Sequence, residues 1–579
     1  MMKVYRRTYY LIYDKYGIIK VLKTHNPMPK NLTVAYFTME IGLKAEIPTY
    51  AGGLGMLAAD LMLSARDLHV DAACVTMCWQ HGYLHQEIRG DGTQSYTQTE
   101  WRPQDHMTLL PAKVVIKLDG RNVTVGAWAL NLTDAGHDVP VFFLDTNLPE
   151  NNADDRAITA YLYGGDGTMR LKQEAVLGIA GVKMLRALGY GEIGTFHMNE
   201  GHAAFLTLEL LRERGFSDDA VRPSCAFTTH TPVKAGHDVF PYDMAWRVLG
   251  DNLPWHIKKL AGEEGLSMTH LAMHLSKKSF AVSRVHGMVS NRMFPGENID
   301  YITNGVYLPR WISPEMKTLF DTYMPGWQKD PTLLAAHCRD IPDNELLAAK
   351  HAAKSRLIKA ANAFASSPLD ENTLTIASAR RVVAYKRPEL LYTNIERLIE
   401  AAQGKVQIIH AGNAHPNDPF GQDVIQRMIE RSRSLKDKIK IVYMPNYNPE
   451  LAELLVSGAD IWLNTPTRLH EASGTSGMKA AVNGTINLST LDGWWIEGYE
   501  MDPQSGWRIG PLSQALDADD TRTIDAEDLY TQLQYQVVPE YIYPDHVRWA
   551  RRMKRSIGLT GYFNTHRAIQ EYMKKAWSR

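Results

Sequence analysis

The chain has 579 residues, of which 45% are hydrophobic and 22% charged, with a formal net charge of −1. That length is more than one ordinary core organises, and it points to two domains or one heavily elaborated one. With no basic stripe and no acidic tail, the sequence gives no support to nucleic acid or a membrane as the main partner.

Four scattered cysteines, Cys74, Cys78, Cys225 and Cys338, make a poor disulfide framework. Cys74 and Cys78 sit in an apolar run and read as buried strand thiols rather than a metal or redox pair. The first residues lack the apolar stretch of a leader peptide. No window approaches the roughly 18 consecutive apolar residues of a membrane span. The expectation is a cytoplasmic protein in a reducing compartment.

Short apolar runs predict strands at 33–37, 72–77, 195–198, 225–229, 406–410, 439–444, 461–464 and 485–488. Helices are predicted at 55–68, 200–214 and 451–456, the second with Ala204, Leu208 and Leu211 at helical spacing. Strand–turn–helix alternation of this kind indicates α/β architecture with mostly parallel sheets. A polar, helix-rich interval at 311–367 separates two such blocks. The reading is two Rossmann-like domains facing a central cleft, spanning 1–303 and 304–545, with a helical tail at 546–579 that packs back on the first. Ligands in such folds bind at the carboxyl ends of strands. The tail carries Arg551, Arg552, Lys554, Arg555, Lys574 and Lys575, read as a solvated helical face.

Four segments carry chemistry. In chain order, Gly52, Gly53 and Gly55 precede a helix and let backbone approach a ligand. His230 follows a strand, either as a structural side chain or as part of a site. Arg380, Arg381, Lys386 and Arg387 place four cations within eight residues. They form either a solvated basic turn or a grip on phosphate, with Pro388 near the start of a helix. The stretch Glu471-Ala-Ser-Gly-Thr-Ser-Gly-Met-Lys479 sets small residues before a helix, whose free amides and dipole suit a phosphate. Lys479, one turn in, is placed to react with a carbonyl.

Together these segments resemble the glycogen and α-glucan phosphorylase family. Stretches 36–40, 50–55, 170–174, 197–202, 228–240, 302–306, 410–416 and 491–495 also match, in the family's order. The resemblance implies the two-domain architecture of B-type glycosyltransferases. It also implies phosphate-dependent, configuration-retaining release of glucose 1-phosphate from the non-reducing end of glycogen, starch or maltodextrin. It implies pyridoxal 5′-phosphate as cofactor, no metal, and a homodimer. Lys479 matches the lysine that holds the cofactor, with Tyr447, Thr475, Ser476, Gly477 and Arg380 around it. Arg381 and Lys386 match the substrate-phosphate clamp, with the Gly53–Leu54 backbone facing it. His230, Asn304, Tyr385, Glu471, Ser473 and Gly474 match the glucosyl site, and His202 lines the same cleft.

There are departures. Arg380 stands where the family usually has lysine. Val383 and Ala384 replace a His-Glu pair of the well-studied long members, which leaves chain-length preference open. The shorter chain predicts weak or absent allosteric control. Two other readings share parts of the pattern. A nucleotide-sugar-dependent glucan glycosyltransferase of the same fold has no use for Lys479. A non-catalytic glucan-binding relative has no need of Arg381, Lys386, Glu471 and Lys479 together.

Overall fold

The computed structural model describes residues 31–82, 85–134, 136–512 and 521–577, with the backbone of a hairpin at Tyr10–Tyr13 and Ile19–Leu22. Two large sheets organise it. The first contains β1 (Asn31–Phe37), β2 (Ala72–Met77), β3 (Thr108–Leu109), β4 (Val114–Leu118), β5 (Arg121–Asp134), β6 (His137–Asp145), β7 (Glu192–Asn199), β8 (Cys225–Thr228), β9 (Lys278–Ala281) and β10 (Ile299–Tyr301). Its order is β10-β9-β8-β7-β1-β2-β6-β5-β3, with β4 also on β5. Strands from β10 to β6 pair in parallel, while β5 and its neighbours are antiparallel. The second contains β11 (Leu374–Ala379), β12 (Val406–Ala411), β13 (Lys440–Met444), β14 (Ile461–Asn464), β15 (Ile486–Thr490) and β16 (Gly506–Ile509). It is wholly parallel in the order β13-β12-β11-β14-β15-β16, the dinucleotide-fold order.

The central strands are buried along their whole length because helices cover both faces. Every residue of β2, β11 and β12 is buried. The expected α/β architecture of two Rossmann-like sheets is therefore present. The antiparallel flank β3–β6 was not anticipated. Its long strand β5 mixes exposed and buried residues without clean alternation.

Three local readings are corrected. The stretch 200–214 is not one helix: Glu200 sits at φ 72°, a single turn covers Gly201–Ala203, and the helix runs Leu206–Glu213. Pro388 does not open a helix. Arg387 is left-handed at φ 44°, and the following α-helix starts at Ile395, capped by the Asn394 side chain. The tail's basic face is not simply solvated. Arg552 pairs with Glu540 at 2.8 Å and lies 4.0 Å over Trp507. Lys554 pairs with Asp343 at 2.5 Å, Arg555 with Asp502 at 2.8 Å and Lys575 with Asp300 at 3.2 Å. Arg551 and Lys574 are exposed.

The tail is built of two helices, Val547–Leu559 and Thr565–Lys575. The second lies on α1 (Gly53–Asp67), joined by a 2.6 Å bond between the Ser64 and Thr565 hydroxyls. Trp577 is 2% exposed, donates to His197 Nδ1 at 2.9 Å and stacks on Tyr572. Trp577→Ala is expected to cost about 3–5 kcal/mol, read as a lower midpoint in urea unfolding. A wild-type midpoint would show that this side chain does not anchor the tail.

Candidate functional site

Both sheets present their carboxyl ends to the site, and in each the strand order reverses there. In the first sheet β1 leads to Glu40 and the glycine loop, β7 to Asn199, Glu200 and His202, and β8 to His230. In the second, β11 leads to Arg380 and Arg381, β12 to Asn413, β13 to Tyr447, β14 to the segment ending in Lys479, and β15 to Asp492. The Ser283 hydroxyl donates to the Ala472 carbonyl at 2.5 Å and ties the two halves beside the cleft.

Lys479 is buried on the short helix Ser476–Ala481. Its Nζ lies 3.6 Å from the Trp311 ring centroid and has no hydrogen-bond partner among the described residues. Burial pushes its pKa down to about 8, with Asp60 opposing the shift. Asn483 secures both neighbours, donating to the Lys479 carbonyl at 3.0 Å and the Trp311 carbonyl at 2.7 Å. Ahead of Lys479, the N–H groups of Thr475, Ser476 and Gly477 lack acceptors among the described residues, as at any helix start without a cap. Ser476 Oγ accepts from Trp462 Nε1 at 3.0 Å. A Cβ on Gly477 would meet Asn487 Oδ1 at 2.4 Å, so only glycine fits. Gly474, at φ 66°, turns the loop, and the Ser473 carbonyl accepts from Trp494 N–H at 2.9 Å.

The four clustered cations have four different surroundings. Arg387 is structural: it donates to Asp525 at 2.7 Å and to the Thr465 and Pro466 carbonyls at 2.9 Å each. Lys386 forms an ion pair with Glu471 and lies 5.0 Å from the Tyr385 ring centroid. Burial lowers the Lys386 pKa, but the Glu471 carboxylate outweighs it and the net shift is upward. Arg381 is exposed and has no ion pair among the described residues. Arg380 uses Nη2 on Ser378 Oγ at 2.9 Å and the Leu463 carbonyl at 2.7 Å, which leaves Nε and Nη1 buried without partners. Burial lowers its pKa to about 10. Two buried guanidinium donors without acceptors call for an anion.

Tyr447 is held by reciprocal bonds with Asn413, at 3.1 and 3.0 Å, and burial raises its pKa to about 12. His230 donates from Nε2 to Asn199 Oδ1 at 2.6 Å, and its N–H donates to Glu200 at 2.7 Å. Burial lowers its pKa to about 3, so the ring is neutral. Asn304 is buried, and its carbonyl accepts from Arg567 at 3.1 Å. His202 lies 3.6 Å from Asp238, with Nδ1 buried and unpaired. Glu174, His202 and Asp238 bring ligand atoms within 4.8 Å of one another, but Arg170 already pairs with Glu174 at 2.9 Å and Asp238 at 3.2 Å.

The sequence reading missed Trp311, Asn413 and Asp492. Asp492 is buried and accepts the N–H groups of Glu471 and Gly493 at 2.9 Å each, and burial raises its pKa to about 7, with Glu471 adding to the rise. Asp492 lies within a matched motif, but Trp311 carries no local signal.

The carbohydrate phosphorylase family model matches residues 255–504. The chain is 37% identical to a maltodextrin phosphorylase from Thermococcus litoralis, over 94% of this chain and 70% of that protein. It is 34% identical to a glycogen phosphorylase from Aquifex aeolicus, over 94% of this chain and 86% of that protein. It is also 34% identical to a glycogen phosphorylase from Mycobacterium tuberculosis, over 91% of this chain and 68% of that protein.

Lys479 yields a pH prediction. Its folded pKa of about 8 lies below the ordinary 10.5. The buried charge therefore costs stability fully below pH 8, and the cost fades as the pH rises from 8 to 10.5. Lys479→Met should stabilise the ligand-free protein at pH 7 by up to about 3 kcal/mol, with the gain shrinking above pH 8 in thermal unfolding. A loss at pH 7, or a gain independent of pH, would show that the buried amine carries no such cost.

Proposed function

This chain belongs to the carbohydrate phosphorylase family, and from that premise we propose how its residues carry the reaction. It is an α-glucan phosphorylase that removes a terminal glucosyl unit with phosphate and releases glucose 1-phosphate. The residue assignments rest chiefly on one observation: two unpaired donors of Arg380 and the free amides before Lys479 follow neighbouring strands at the switch point of the second sheet.

The donor set fits pyridoxal 5′-phosphate. An unpartnered buried amine with a lowered pKa suits a carbonyl, and Arg380 with the amides of Thr475 to Gly477 suits a phosphoryl group. Lys479 holds the cofactor, and Tyr447 lines its pocket. When bound, the cofactor supplies a second phosphate whose charge or proton is shared with the substrate phosphate.

Arg381 and Lys386 hold inorganic phosphate with the Gly53 and Leu54 amides. This charge lets a phosphate proton reach the glycosidic oxygen while the phosphate oxygens stabilise the cationic sugar and capture it on the same face. The His230 carbonyl, Asn304, Tyr385, Glu471, Ser473 and Gly474 orient the glucosyl hydroxyls, and His202 borders them. The preferred glucan length is set on the acceptor side, where Val383 and Ala384 lie. The same reading divides the chain near residues 304 and 546 and places the enzyme in the cytoplasm as a homodimer. No helix of the described residues is long and apolar enough to cross a membrane.

The test is phosphate-dependent release of glucose 1-phosphate from maltooligosaccharides and glycogen, side by side. Lys479→Ala should abolish release and the absorbance of bound pyridoxal, and a variant with full activity would refute the cofactor assignment. Glu471→Gln should lower kcat/KM for glucan by roughly 10–100-fold, the worth of a hydrogen bond to a charged group. Wild-type kinetics would remove Glu471 from the glucosyl site.

A further inference from the structure

The glycine loop before α1 is held by a carboxylate to which the mechanism so far gives no part. Glu40 lies just beyond β1 and is 3% exposed. Its Oε2 accepts the N–H groups of Ala51 at 2.7 Å and Gly52 at 3.1 Å. Its Oε1 accepts the Tyr163 hydroxyl at 2.8 Å. Tyr163 is itself constrained: its backbone is left-handed at φ 58°, and Arg170 lies 4.8 Å from its ring centroid.

The loop is shaped around this carboxylate. A Cβ on Gly55 would stand 2.8 Å from Glu40 Oε2, so glycine there makes room for the carboxylate. A Cβ on Gly52 or Gly53 would meet nothing within 4 Å. The next N–H groups, those of Gly53, Leu54 and Gly55, have no acceptor among the described residues, and regular helix bonding resumes with Met56 N–H on the Gly52 carbonyl at 3.3 Å. The carboxylate thus satisfies the two amides before the helix and leaves the following ones unpaired beside open space. Helix starts are usually capped by their own side chain, but Gly52 has none.

We propose that Glu40 is a positioning residue. It clamps the loop, and Tyr163 locks the clamp, so that the Gly53 and Leu54 amides point at inorganic phosphate. The proposal rests on the phosphorylase reading, which puts the substrate phosphate at this loop. It also makes a prediction of sign. A carboxylate that merely sits near a bound anion repels it, so neutralising such a group tightens anion binding. Neutralising a clamp loosens the loop and weakens anion binding.

The experiment measures inorganic phosphate binding to the full-length protein saturated with pyridoxal phosphate, by calorimetry, alongside KM for phosphate and for maltoheptaose. Glu40→Ala should weaken phosphate binding at least tenfold. Glu40→Gln, which keeps one acceptor, should fall between it and wild type, and Tyr163→Phe should weaken binding a few-fold. KM for maltoheptaose and the thermal midpoint should stay within twofold and a few degrees of wild type. Unchanged or tighter phosphate binding in Glu40→Gln and Glu40→Ala overturns the proposal, even if Glu40→Ala is less stable. Equal loss in both KM values, together with a lowered midpoint, reduces Glu40 to a structural role and overturns it too. A wild-type protein that binds phosphate but forms no glucose 1-phosphate refutes the phosphorylase reading instead, and the order of phosphate affinities among the variants still decides the role of Glu40.

Discussion

The site depends on keeping positive charge dry and unpaired. Buried cations are ordinarily paired, because an isolated charge out of water is costly. This protein follows the rule a few residues away: Arg387 is pinned to Asp525, and Lys386 to Glu471. Arg380 and Lys479 break it. Arg380 keeps two buried donors idle, and Lys479 buries an amine against an indole with no acceptor. Burial lowers the pKa of both, as expected where desolvation is uncompensated. Such an arrangement is stable only if the surrounding structure fixes the side chains independently of any anion. Ser378 and the Leu463 carbonyl do so for Arg380, and Asn483 fixes the backbone beneath Lys479.

Topology brings these groups together. In the second sheet β11 and β14 are neighbours, yet their following segments run to opposite sides. The segments after both strands open into the same crevice, one with Arg380, the other with Glu471 and Lys479. The first sheet has the same reversal between β1 and β7, and its crevice carries Glu40, Glu200 and the glycine loop. On the proposed reading, the first half contributes the glycine-loop amides, and the second contributes Arg380 and Lys479 together with the amides of Thr475 to Gly477.

How much of this was legible in the sequence follows from the range of each interaction. The parallel strands were legible because they are buried on both faces and so mostly apolar, as at β2 and β12. The β5–β6 flank was not, since its faces are unevenly buried. The cation cluster was visible as a cluster, but its division was not. Arg387 finds its carboxylate in Asp525, far along the chain, and no local pattern announces that partner. The tail's basic residues misled for the same reason, with partners in Asp343, Asp502, Glu540 and Asp300. Local chemistry named the residue types of the site. Only the fold decided which of them stay free for a ligand.

On the proposed assignments, the ion pair between Lys386 and Glu471 joins the two substrate subsites. Lys386 belongs to the phosphate side of the proposed site and Glu471 to the sugar side, and in the ligand-free protein each satisfies the other. That mutual pairing explains how both charges tolerate partial burial without ligands. A phosphate that draws Lys386 away leaves the Glu471 carboxylate without its cation, with the Asp492 carboxyl, held by the Glu471 N–H, close behind it. The cheapest relief is a hydroxyl donor, which a glucosyl unit provides. A sugar that binds first faces the reverse: it competes with Lys386 for the carboxylate until an anion takes the ammonium. On those assignments one salt link ties phosphate capture to sugar capture, and the pair is satisfied again only when both are in place.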